Sequence, residues 1–105
     1  PDHDYPFELD FQLYYKTLTE AKEQYKGRIK VLRGVEIGIQ HGEVLKKCEM
    51  RAREFDYDFV LGSFHCAEGY ELYGASYYEN RSIEEAYVTF YTYVRDCLLQ
   101  YRDYD

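Results

Sequence analysis

Hydrophobic residues recur at helical spacing in three stretches of this chain of 105 residues. Residues 10–26 and residues 43–55 each carry one apolar stripe, which predicts two amphipathic helices. A third helix is predicted after Ser82, because Ser82 and Glu85 form a capping box and a long apolar stripe follows as far as Tyr101. The pattern therefore predicts three helices, each with one face to bury.

Two short apolar runs separate these helices and predict strands. Residues 29–39 are rich in β-branched side chains and are punctuated by glycine. Residues 58–63 are nearly all apolar at their centre, which predicts a buried strand. Residues 66–81 are polar and rich in Gly and Tyr, so they are expected to form a loop.

The order helix, strand, helix, strand, helix predicts an α/β fold with parallel strands. A parallel sheet is usually covered on both faces, and two strands cannot achieve this alone. We therefore expect further strands in the complete protein. The chain also begins without Met, and both ends are expected to continue into a longer polypeptide.

Charge and composition narrow the range of partners. The net charge of −7 argues against binding to nucleic acid or to an anionic membrane surface. No apolar stretch approaches the roughly 18 residues of a membrane span. The three cysteines, Cys48, Cys66 and Cys97, show no CxxC spacing and are expected to be reduced thiols in a cytoplasmic protein. Cys48 and Cys97 fall on apolar helix faces and are expected in the core.

Three residues that can bind metals stand where strands are expected to end. Glu36 lies near the end of the first strand and His65 just past the end of the second. His3 precedes the first helix, where a preceding strand would end. In parallel α/β folds, catalytic and binding residues usually lie at the carboxyl ends of the strands. Imidazole and carboxylate groups together are suitable ligands for Zn, Mn or Fe. Taken singly each residue is ordinary polar surface, but together they predict a metal site.

The chain resembles the histidinol phosphatases of the PHP superfamily in the order and spacing of four motifs. These motifs are Asp2-His3, GVEIG at 34–38, FVLGSFH at 59–65 and GYELY at 69–73. The resemblance implies part of a distorted (β/α)7 TIM-like barrel, with parallel strands and intervening helices. It also implies two or three divalent transition metals at the carboxyl ends of the strands.

The reaction that the resemblance implies is hydrolysis of a phosphomonoester. A metal-bound hydroxide converts L-histidinol phosphate, a small-molecule substrate, to L-histidinol and phosphate in histidine biosynthesis. By position, Glu36 would bridge two metals, whereas His65 and His3 would bind separate ions. Three further residues are weaker candidates for contact with the substrate: His41, Tyr70 and Tyr73. A solvated loop position is the better explanation for His41, and loop packing explains Tyr70 and Tyr73 at least as well.

The chain departs from the family pattern at both ends. The family opens with an HxH motif and closes with a GHxD motif, and neither occurs in these 105 residues. Residues 1–105 are therefore expected to be an internal portion of a single PHP phosphoesterase domain. Such a portion is expected to be inactive alone, and its unpaired strand edges would favour self-association.

Two alternatives remain open at this point. The chain could come from another PHP phosphoesterase or from a polymerase-associated exonuclease module. It could also be a non-catalytic, acidic interaction module, because 14 tyrosines give it many residues of a type that is enriched at interfaces. Metal dependence separates the enzymes from the interaction module, and substrate preference separates the two kinds of enzyme.

Overall fold

The computed structural model describes residues 9–105, which fall into two compact units. The first unit ends at Arg33, and the second spans Gly34–Asp105. The first contains helix α1, Phe11–Gln24. All four strands and the other two α-helices lie in the second unit.

Helix α1 begins where the sequence predicts. The carboxylate of Asp10 accepts a hydrogen bond from the N–H of Leu13 at 2.9 Å, and this satisfies a donor that the first turn leaves unpaired. Past the helix, Gly27 adopts φ +81°, a left-handed conformation that glycine allows at little cost. The apolar stripe of α1 is not buried: Leu13, for example, is largely exposed.

The second unit is built on a parallel pair of strands. Strand β1, Gly34–Gly38, pairs with strand β2, Phe59–Ser63, in a register that sets Glu36 beside Leu61 and Gly38 beside Ser63. Just past the end of β1, the N–H of Ile39 donates a hydrogen bond to the carbonyl of Ser63 at 2.7 Å. The predicted parallel pairing is confirmed.

The first strand is shorter than predicted. The apolar run 29–39 is β-branched enough to form a longer strand, but only Gly34–Gly38 joins the ladder. These five residues pair with the five residues of β2, and residues 29–33 have no partner strand in the described part of the chain. Strand length is set by the hydrogen-bonding partner as well as by side-chain propensity.

Helix α2, Glu43–Glu54, connects the two strands and contacts β1. The thiol of Cys48 donates to the carbonyl of Gly38 at 3.3 Å, which joins the helix to the end of the strand. The side chains on the facing sides of β1 and α2 are buried and form a small core: Val35, Ile37, Leu45, Cys48 and Ala52.

The opposite face of the sheet is open in the described part of the chain. Side chains alternate between the two faces of the sheet. Those of Phe59 and Leu61 therefore project from the same face as Glu36, whereas Val35 and Ile37 project from the other face. Phe59 is 44% exposed and Leu61 is 43% exposed. The prediction of a buried strand at 58–63 is therefore right in position and wrong in burial.

The predicted loop at 66–81 contains regular structure. Strands β3, Cys66–Ala67, and β4, Tyr70–Glu71, form a tight antiparallel hairpin, and a 3₁₀-helix follows at Ala75–Tyr77. Positive φ angles at Glu68 and Gly69 make the turn, which suits a two-residue hairpin connection.

Arg81 holds this segment together. Its guanidinium donates to the carboxylate of Glu68 at 2.7 Å and lies over the Tyr77 ring, 4.6 Å from the centroid. It also lies 5.8 Å from the centroid of the Tyr70 ring. One side chain thus joins the hairpin turn, the second hairpin strand and the 3₁₀-helix.

Helix α3, Ile83–Gln100, confirms the predicted capping box. The hydroxyl of Ser82 accepts from the N–H of Glu85 at 3.2 Å, and the N–H of Ser82 donates to the carboxylate of Glu85 at 2.7 Å. Cys97 is fully buried, and burial raises the pKa of its thiol to about 11. The three cysteines are free thiols, and Cys48 and Cys97 are buried as predicted.

After α3 the chain returns to the sheet. The N–H of Asp105 donates to the carbonyl of Val60 at 2.8 Å, and its carboxylate accepts from the N–H of Val60 at 3.0 Å. Because Ser63 directs its carbonyl towards β1, alternation along β2 directs the polar groups of Val60 to the other edge. Residues 9–105 contain no helix that is both long and apolar enough to cross a bilayer.

Gly62 is predicted to be required for packing on the covered face. A Cβ built there would lie 2.7 Å from Cδ1 of Ile39, which is buried, and 3.1 Å from Cγ of Tyr104. We expect Gly62→Ala to lower the free energy of unfolding by about 1–3 kcal/mol, measured by urea denaturation, because the core must shift to accept it.

Gly38→Ala is the matched control, because a Cβ built at Gly38 meets no atom of the described residues within 4 Å. This control is expected to be neutral, or to stabilise by up to about 1 kcal/mol through the unfolded chain. Equal effects of the two substitutions would show that the close contact at Gly62 has no energetic consequence.

Candidate metal centre at the ends of the parallel strands

Glu36 and His65 lie side by side on the open face of the strand pair. His65 lies two residues past the end of β2, whereas Glu36, which the sequence predicts near the end of its strand, is the central residue of the shorter strand β1. Nε2 of His65 is 3.3 Å from Oε1 of Glu36. About half of each side chain is exposed, 54% for Glu36 and 52% for His65, so the pair is open to an incoming ion or ligand. Two of the three residues that the sequence predicts at a metal site are therefore neighbours. His3 lies outside the described residues.

The ladder register brings this pair together. Glu36 projects from the open face of the sheet, whereas Val35 and Ile37 project from the face that α2 covers. Ser63, the last residue of β2, lies beside Gly38 and so shares the face of Glu36. His65 follows two residues later, which places its ring at the same end of the sheet.

Ser63 lies on the same face of the sheet as Glu36. Its hydroxyl donates to the carbonyl of Ile37 at 3.4 Å and can rotate to donate to the Glu36 carboxylate instead. Hydrogen bonds from Ser63 and then from His65 lower the pKa of Glu36, because they stabilise the charged form. From the sequence, Ser63 is predicted only to shape a turn. Its role beside Glu36 could be predicted only by knowing that Ser63 pairs with Gly38 in a parallel ladder.

Tyr73 completes the surroundings of the imidazole. Its hydroxyl lies 3.5 Å from Nδ1 of His65, and the two rings are stacked with centroids 6.2 Å apart and planes inclined by 26°. Both ring nitrogens of His65 therefore have a partner, Glu36 at Nε2 and Tyr73 at Nδ1.

The other two candidates for substrate contact lie against different residues. The backbone N–H of His41 donates to the hydroxyl of Tyr93 at 2.9 Å, and their rings meet edge to face at 4.4 Å. Tyr70 lies beneath Arg81 in the hairpin. The described contacts therefore join Tyr73, and neither His41 nor Tyr70, to the pair at the strand ends.

The described residues do not form a complete metal site. Among residues 9–105, no group of three or more His, Cys, Asp or Glu side chains is placed to hold an ion. The donors that are present fit a metal chemically: a carboxylate with a lowered pKa, and an imidazole. Their spacing of 3.3 Å also fits, because two ligands of a tetrahedral zinc ion lie about 3.3–3.4 Å apart.

Cys66 follows His65 directly but is a poorer donor. It pairs with Glu71 across the hairpin, and burial, followed by the charge of Glu71, raises the pKa of its thiol. A thiol with a raised pKa remains protonated near neutral pH, whereas a metal needs the thiolate. The structure therefore favours oxygen and nitrogen donors at this end of the sheet.

The chain is similar to a curated protein. That protein is described as a probable histidinol-phosphatase of Clostridium acetobutylicum and is 30% identical over 102 residues. The match covers 92% of this chain and 37% of the relative, so the chain spans little more than a third of the relative's length. No protein-family model matches the chain, and no solved structure does. The relative carries the name of a phosphatase.

Ser63→Ala is expected to raise the pKa of Glu36 towards its ordinary value, because the hydrogen bond that contributes most to lowering it is lost. A lowered pKa in the folded state stabilises the protein above the unfolded-state pKa, and this contribution is lost as the pH falls. The stability deficit of the variant should therefore be present near neutral pH and shrink in acid.

Carboxyl-detected NMR titration of the metal-free protein measures the Glu36 pKa directly. Ser76→Ala removes an exposed hydroxyl from the 3₁₀-helix and serves as the control, with no change expected at Glu36. An unchanged Glu36 titration in Ser63→Ala would rule out the role given to that hydroxyl.

Proposed function

We propose that this chain forms part of a metal-dependent phosphomonoester hydrolase that acts on L-histidinol phosphate. The observation that carries the proposal is the contact between Glu36, at the centre of β1, and His65, just past the end of the parallel strand β2. The similarity to a probable histidinol-phosphatase, which runs through almost the whole chain, supports the choice of substrate.

In this proposal Glu36 and His65 bind divalent ions such as Zn, Mn or Fe, with His3 as a further ligand. Glu36 would bridge two ions, and the remaining ligands would come from outside these 105 residues. Bound metals supply an activated water near neutral pH and neutralise charge on the phosphoryl oxygens. A hydrogen bond from Ser63 lowers the pKa of Glu36 and so favours the ionised carboxylate that a metal ion binds.

The fold proposed for the complete protein is a distorted (β/α)7 barrel, with β1 and β2 as two of its strands. The parallel pairing supports this fold, and so does the helix that covers one face of the pair. The half-exposed side chains of Phe59 and Leu61 would then face the barrel interior, together with Glu36. Further strands would bury these apolar side chains.

A non-catalytic role finds support in one observation. The outer surface of α3 exposes large apolar side chains, among them Ile83, Tyr87, Tyr91 and Leu99. Exposed apolar surface of this kind occurs at protein interfaces. Such a role requires neither metal nor a phosphoester, so the assay below separates the two functions.

Phosphate release from L-histidinol phosphate by the intact protein tests the proposal. His65→Ala and Glu36→Ala are each expected to lower kcat/KM at least about 100-fold and to reduce bound metal, because each removes a donor atom. His41→Ala is the control, since its ring packs on Tyr93, and it is expected to retain activity and metal.

Two outcomes would contradict the proposal. Unchanged metal content in both His65→Ala and Glu36→Ala would exclude the metal centre at the strand ends. Faster hydrolysis of nucleotides than of histidinol phosphate would exclude the proposed substrate and would favour an exonuclease or another phosphoesterase.

A further inference from the structure

The backbone places Tyr73 against His65 although little of its side chain is buried. The N–H of Leu72 donates to the carbonyl of His65 at 3.0 Å, so the residue before Tyr73 is tied to the histidine itself. The carbonyl of Leu72 in turn accepts from the hydroxyl of Tyr78 at 3.0 Å. Tyr73 is 83% exposed, and core packing therefore does not account for its position.

The neighbours of His65 favour one tautomer of the neutral ring in the absence of a metal ion. A carboxylate only accepts hydrogen bonds, so Nε2 of His65 donates to Glu36. In the neutral ring Nδ1 is then an acceptor, and the hydroxyl of Tyr73 donates to it across 3.5 Å. A phenol can also accept a hydrogen bond, so Tyr73 suits the opposite tautomer equally well.

We propose that Tyr73 is a positioning residue that holds the imidazole of His65 towards Glu36. The stacked ring restricts rotation of the imidazole, and the hydroxyl serves Nδ1 whether that nitrogen donates or accepts. The metal-binding consequence of this contact rests on the proposed function, in which His65 is a ligand. This role is an alternative to the contact with substrate for which the sequence makes Tyr73 a weaker candidate.

The physical basis is the cost of ordering a ligand. An imidazole that rotates freely loses conformational entropy when it binds a metal ion. An imidazole whose second nitrogen already has a hydrogen-bond partner loses less entropy, so it binds the ion more tightly. Partners of this kind typically contribute 10–100-fold to metal affinity. Because the hydrogen bond to Tyr73 is long and exposed, we expect an effect at the lower end of this range.

The first measurement is ¹⁵N NMR of the His65 ring in the intact, metal-free protein. Tyr73→Phe keeps the ring and removes the hydroxyl, so the Nδ1 resonance is expected to move towards that of an imidazole nitrogen without a hydrogen bond. Tyr70→Phe is the matched control in the same loop, because Tyr70 contacts Arg81, and it should leave the His65 signals in place. An unmoved Nδ1 resonance in Tyr73→Phe would overturn the inference.

The second measurement is titration of the same variants with Zn²⁺ alone. Tyr73→Phe is expected to weaken binding about tenfold and Tyr73→Leu further, with Tyr70→Phe equal to wild type. If His65→Ala loses zinc while both Tyr73 variants bind as wild type does, the positioning role is wrong and the metal centre stands. If Nδ1 responds as expected but wild type binds no zinc, the contact stands and the proposed function fails.

Steady-state kinetics distinguish positioning from substrate contact. A rise in KM for L-histidinol phosphate in Tyr73→Phe, with zinc affinity unchanged, would show that the hydroxyl binds substrate and would overturn the inference. A fall in kcat that saturating zinc restores is the result expected of a positioning residue.

Discussion

The hydrogen-bonded ladder between β1 and β2 is the interaction on which the rest of the second unit depends. Its register sets Gly38 beside Ser63, and this alignment brings Glu36 and His65 within 3.3 Å of each other. Side chains alternate along a strand, so a slip of one residue would turn Glu36 towards the face that α2 covers. Correct pairing is therefore a condition both for a stable core and for the candidate site.

The two faces of this ladder have different roles. One face carries Val35 and Ile37 into the core against α2. The other carries Glu36 and Ser63, together with apolar side chains that stay half exposed. The described residues thus present one covered surface and one open surface that bears the metal-type donors. The chain spans 37% of the length of a curated relative, and two such donors in its described part support the proposal that further ligands come from outside these 105 residues.

The sequence predicts best those features that depend on neighbouring residues. The capping box of Ser82 and Glu85 is an interaction over three residues, and α3 begins where it predicts. The position of His65 just past β2 also follows from local pattern, whereas Glu36, expected near the end of its strand, lies at the centre of β1. Other features do not follow from local pattern. The exposure of Phe59 depends on what covers the sheet, and the contacts of Ser63 depend on the register of the ladder. The contacts of Tyr73 depend on the backbone hydrogen bond that joins Leu72 to His65.

The central claim is that parallel pairing of β1 and β2 builds one part of a metal centre from Glu36 and His65. Anomalous diffraction from crystals of the intact protein, grown with zinc or manganese, tests it most directly. The account predicts a metal peak within about 2.0–2.2 Å of a Glu36 carboxylate oxygen and of a His65 ring nitrogen. A structure in which metal binds elsewhere, while Glu36 and His65 contact only each other, would contradict it.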